Sequence, residues 1–86
     1  MNQPYRLARG VRLQRDADGT ALLLVPEGIV TLNETAAAVV ELLDGERRVD
    51  AIERSLVERY EVSSAEAAEA IRELLDDFSR RGFVAS

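Results

Sequence analysis

Eleven arginines, sixteen carboxylates and no cysteine or histidine set the chemistry open to this 86-residue chain. Disulfides, thiolate nucleophiles, zinc sites of the usual kind and imidazole base catalysis are excluded together. The most suggestive carboxylates are the adjacent Asp76 and Asp77. Neighbours on a helix point about 100° apart and cannot converge on one ligand, so the pair reads as a solvated face. The five glycines are dispersed at turns and build no phosphate loop. No catalytic constellation, metal site or cofactor site is expected, and the chain is expected to have no turnover of its own.

The elements that would position a binding surface fall into an extended part and a helical part. Val11 and Leu13 alternate with Arg12 and Gln14, and Asp16-Ala17-Asp18-Gly19 supplies turn chemistry, predicting a first strand and a hairpin. The apolar run Ala21 to Val25 is too short for a helix before Pro26 and reads as a second strand. After Pro26-Glu27-Gly28, the β-branched stretch Ile29 to Leu32 makes a short third strand. Asn33 is a suitable N-cap for a helix running to about Leu43, stopped by Asp44-Gly45. Asp50 with Glu53 gives an acidic capping pattern for a second helix with Ile52, Leu56 and Tyr60 inward. Ser63 and Glu66 form an S-x-x-E capping box ahead of a longer third helix. Its inward face carries Ala67, Ile71, Leu74, Leu75 and Phe78. Gly82 ends it, and a Schellman ending would fold Phe83 back on Phe78. The expected fold is α+β and winged-helix-like: a three-stranded antiparallel sheet followed by three helices, in one domain over residues 1–86 with a flexible segment over about 1–8.

Size and charge narrow the role further. Hydrophobic residues make up 47% and charged residues 31%, a globular balance. A domain this small buries only about 60% or a little more of its unfolded surface, so a partner helps, and a monomer or weak homodimer is expected. Met1 to Gly10 contains no apolar stretch resembling a signal peptide, and no run approaches the roughly 20 apolar residues that span a bilayer. A cytoplasmic location without membrane contact is the expectation. Helices two and three, joined through Glu61-Val62, look like a helix-turn-helix and raise a nucleic-acid-binding alternative. Residues 64–81 hold five acids against three arginines, a sign that repels phosphate where a recognition helix needs attraction. Residues 1–15 carry four arginines and no acid within a chain of net charge −5, and basic residues before a strand are more often a solvated tail. The length and acidity also resemble acyl carrier proteins, but Ser55-Leu56 follows Arg54 inside a helix, where a carrier serine would sit at a helix start.

Leu24-Val25-Pro26-Glu27-Gly28, then Leu32-Asn33-Glu34-Thr35-Ala36, then Asp44-Gly45-Glu46-Arg47 and finally Arg81-Gly82-Phe83 occur in the order and spacing of a known family. In these segments the chain resembles the PqqD family, small peptide chaperones of pyrroloquinoline quinone biosynthesis. The likeness covers nearly the whole chain, although Arg48 stands where the family often has threonine and Phe83 where it often has tryptophan. The resemblance implies a non-catalytic RiPP recognition element that binds a ribosomally made precursor peptide. For this family the peptide is PqqA, and it is presented to the radical S-adenosylmethionine enzyme PqqE. A recognition domain for another modified peptide is the alternative within the same class. The iron–sulfur clusters belong to the enzyme, in keeping with a chain that has no thiolate to offer.

An exposed edge on the third strand suits such a role, because an extended peptide can pair with it. The expected peptide site is therefore Gly28, Ile29, Val30, Thr31 and Leu32, facing Ala68, Arg72, Leu75 and Ser79 of helix three. From the residues alone, Ile29 to Leu32 and Leu75 read as core and Arg72 as solvated in preference to a groove. The resemblance is what points to a groove.

Overall fold

The computed structural model describes residues 3–86. The chain runs through β1 (Arg6–Leu7), β2 (Arg12–Arg15), β3 (Ala21–Val25), β4 (Gly28–Leu32), α1 (Glu34–Glu41), α2 (Val49–Tyr60), α3 (Ser64–Arg81) and β5 (Val84–Ala85). Strands β2, β3 and β4 form an antiparallel sheet in that order, with Leu13 opposite Leu23 and Leu23 opposite Val30. The three-stranded meander followed by three helices is thus the expected α+β arrangement.

Local chemistry closes each element. Asp16 folds the first hairpin by accepting from the amides of Asp18 (2.9 Å) and Thr20 (3.0 Å) with one carboxylate oxygen. Asn33 caps α1 by accepting from the Ala36 amide at 2.8 Å. At α3 the capping box is complete, since Ser63 Oγ accepts from the Glu66 amide at 3.1 Å and Glu66 Oε1 from the Ser63 amide at 3.0 Å. The same helix ends in a Schellman motif. The Phe83 amide donates to Phe78 O at 2.8 Å and the Gly82 amide to Ser79 O at 3.1 Å. Gly82 adopts φ 77°, and the Phe78 and Phe83 rings meet edge to face at 5.5 Å.

Three features differ from the sequence expectation. Helix α1 stops at Glu41, and Asp44 heads a turn of its own, accepting from the amides of Glu46 and Arg47. Helix α2 is capped by Arg48, extended and two residues ahead of the expected cap Asp50, which leaves Asp50 in the first turn where the positive helix end favours an acid. Within the segment expected to be flexible, over about residues 1–8, β1 pairs antiparallel with β5, Arg6 opposite Ala85 and Leu7 opposite Val84. The amide of Ala8 donates to Phe83 O and that of Gly45 to Tyr5 O, each at 2.8 Å. Two-residue strands leave too little periodicity to be seen in sequence. Met1 and Asn2 lie outside the described residues.

The core lies between the inner sheet face and the helices. Leu23, Val39, Ile52, Leu56 and Ile71 are its fully buried centre, with Ala21, Leu32, Phe78 and Phe83 around them. Among the described residues no helix is long and apolar enough to cross a membrane.

Candidate functional site

The turn Pro26-Glu27 brings Gly28 opposite Val25 and starts β4 with Gly28 at φ 153°, a conformation that residues with a side chain rarely adopt. Strand alternation then turns Val30 and Leu32 toward the core and Ile29 and Thr31 away from it. Because β4 is last in the sheet order, it bonds to β3 on one side only. Its other side offers a row of backbone donors and acceptors, the defining property of an edge strand.

That edge borders an open cleft of about 420 Å³. Val30 and Leu32 of β4, Ala36 and Val39 of α1, and Ala70, Leu74 and Phe78 of α3 form its apolar lining. Polar groups sit around it: Asn33 and Thr35 at the start of α1, and Glu73, Asp77 and Arg81 along α3. Asp77 and Arg81, one helical turn apart, form an ion pair at 3.4 Å, and the Arg81 guanidinium also lies 5.5 Å from the centre of the Phe83 ring. No ion pair engages Glu73 among the described residues, so the helical wall of the cleft presents one uncompensated carboxylate. The arrangement has an unpaired backbone edge, an apolar trough and a lightly acidic rim. It suits an extended peptide whose alternate side chains drop into the trough.

The structure brings together only part of the site expected from sequence. Val30, Thr31 and Leu32 line the cleft, and Gly28 and Ile29 continue the same edge. Ala68, Arg72 and Leu75 do not face β4; they line a separate depression of about 370 Å³ with Val49 and Glu53 of α2. Leu75 is buried there, and Ser79 is exposed and lines neither depression. The reason is helical geometry. At about 100° per residue, Ala68, Arg72, Leu75 and Ser79 lie on one side of the stripe centred on Ile71, while Ala70, Leu74, Asp77 and Arg81 lie on the other. Helix α3 turns the first flank toward α2 and the second toward β4 and α1. Both flanks are visible in the residue spacing, but the side that meets the sheet is not. Leu74, read from sequence as core, is only half-buried and is the apolar wall of the cleft.

Among the carboxylates, the shifted groups sit in a turn and a helix cap. The amides of Arg47 and Glu46, and the Arg47 charge, hold the Asp44 carboxyl below its ordinary value, and bonding to Ser63 does the same for Glu66. No group of three or more metal-ligating side chains occurs among the described residues.

A meander whose last strand faces a third helix across an open trough defines a recognition-element fold of the kind found with ribosomally made, modified peptides. Over 95% of the chain it superposes, with a TM-score of 0.82 and 31% identity, on 88% of a solution structure from Methylobacterium extorquens, the PqqD truncation of PqqCD, described as a functional stand-alone RiPP recognition element. A lasso peptide synthetase B1 complexed with its leader peptide is also similar, with a TM-score of 0.78 and 28% identity over 95% of this chain and 98% of that one. The family model for coenzyme PQQ synthesis protein D matches residues 20–84, and the chain belongs to this PqqD family. A relative from Rhizobium meliloti (strain 1021), named PqqA binding protein, is 39% identical over 77 residues, covering 88% of this chain and 79% of its own length.

Proposed function

We propose that residues 1–86 act as one peptide-recognition domain that binds the precursor peptide PqqA and presents it, without chemistry of its own, to the radical S-adenosylmethionine enzyme PqqE. The observation that carries this reading is the free β4 edge beside the cleft under α3. The peptide adds as an antiparallel strand along Gly28 to Leu32, its backbone pairing with β4 and its inward side chains resting against Leu74 and Phe78. Membership of the PqqD family and a relative named for binding PqqA support the identity of the peptide. The likeness to a lasso peptide synthetase B1 complexed with its leader peptide supports a second reading, a leader of another class on the same edge.

Backbone chemical-shift mapping with synthetic PqqA tests the proposal. Amides of residues 28–32 and of the α3 flank carrying Ala70, Leu74 and Asp77 are expected to move. Shifts confined to Arg6–Arg15, with the strand silent, would place the peptide elsewhere. In this register Gly28, Val30 and Leu32 bond to β3 and the amides of Ile29 and Thr31 point to the free side. Thr31→Pro removes one of those free donors and obstructs strand addition, and a melting curve of the variant separates lost binding from lost folding. Co-purification of PqqE with the peptide-loaded chain, and not with the chain alone, checks presentation.

A further inference from the structure

The large hydrophobic side chain left exposed among the described residues is Ile29, at 64%. A single exposed apolar residue is ordinary on a protein surface, but the position of this one is not. Ile29 sits on the edge strand itself, on the face turned away from the cleft, directly opposite the half-buried Leu24. Leu22, also half-buried, continues this outer apolar strip opposite Thr31. Unpaired edge strands are usually protected by charge, proline or a bulge, and Gly28-Ile29-Val30-Thr31-Leu32 carries none of the first two. At Ile29-Val30 the free edge therefore carries an apolar side chain on each face.

A strand added to β4 places side chains on both faces of the sheet. The residue opposite Val30 drops into the cleft, and the residue opposite Ile29 lies on the outer face in cross-strand contact with it, whichever way the added strand runs. We infer that the peptide is read on both faces: Ile29 and Leu24 form an outer contact surface for an apolar side chain immediately next to the one held in the cleft. The preferred peptide then carries two adjacent apolar residues at this register. A groove that read only its inner face would accept strict apolar–polar alternation. This inference rests on the strand-addition reading above.

The test is a double-mutant cycle with synthetic PqqA. Cross-strand Hα contacts in the labelled complex identify the peptide residue opposite Ile29, and a second peptide carries serine there. Ile29→Thr keeps a β-branched side chain on an exposed site, and a melting curve checks that the fold is retained. Ile29→Thr is expected to weaken binding of the unaltered peptide about fivefold, the upper range for a cross-strand pair, and to leave binding of the serine peptide unchanged. Equal affinity of both proteins for the unaltered peptide, with the β4 amides still shifting, overturns the outer-face contact and leaves strand addition standing. Silence of the β4 amides overturns both.

Discussion

Leu74 and Leu75 are neighbours in sequence and differ in role because α3 turns them to opposite sides of its buried stripe. Leu75→Ala removes a buried side chain and should destabilise the fold by about 2–4 kcal/mol in a denaturant melt. Leu74→Asp puts a charge into the cleft wall and should cut peptide affinity at least tenfold in titration calorimetry, with a smaller change in stability than Leu75→Ala. Arg72→Glu, on the α2 side, should leave that affinity within about twofold. An equal loss from Arg72→Glu and Leu74→Asp would mean that the peptide crosses the other flank. Gly82 makes a separate point about backbone. A Cβ added there meets nothing within 4 Å, so the backbone at φ 77°, not a Cβ clash, sets the cost of Gly82→Val, and the urea midpoint should fall by the equivalent of about 1 kcal/mol or more.

At the scale of elements, helix ends and turns carry the acid sensitivity. The Asp44 and Glu66 carboxyls are held below their ordinary values of 3.8 and 4.5 by bonds they accept only in the folded chain. Each contribution is therefore complete above the unfolded pKa and disappears as pH falls through the lowered folded one. Melting temperature should stay level from neutrality to about pH 5 and drop below about pH 4. Asp44→Asn keeps an acceptor oxygen for the Glu46 and Arg47 amides but cannot titrate, and should flatten part of that acid limb. An unchanged limb in this variant would assign the sensitivity to other carboxylates. The capping box and the Schellman ending were legible because each is a short pattern with a local cause. The start of α2 was less so, since Asp50 suits the first turn of a helix as well as its cap.

At the scale of the whole molecule, β1 and β5 bring the two ends of the described chain together and cover the base of α3. Deleting residues 1–8 removes the pairing with Val84 and Ala85, the Ala8 bond to Phe83 and the packing of Tyr5 and Leu7. The loss should be about 2 kcal/mol or more, read as a lower denaturation midpoint; an unchanged midpoint would show that the clamp is marginal in solution. Sequence by itself determined the three meander strands and the three helices, the Asn33 and Ser63 caps, the stop at Gly82 and the edge strand that makes a peptide site possible, because periods of 2 and 3.6 and capping chemistry act within a few residues. Only the tertiary structure decided which flank of α3 meets β4, and with it that Leu74 and Asp77 border the cleft while Ala68 and Arg72 do not. It also decided that the N-terminal residues close on β5. The physical reason is common to both: helical spacing defines a buried stripe but is symmetric about it, and short pairing partners distant in sequence leave no local trace, so both are settled only when the elements pack against one another.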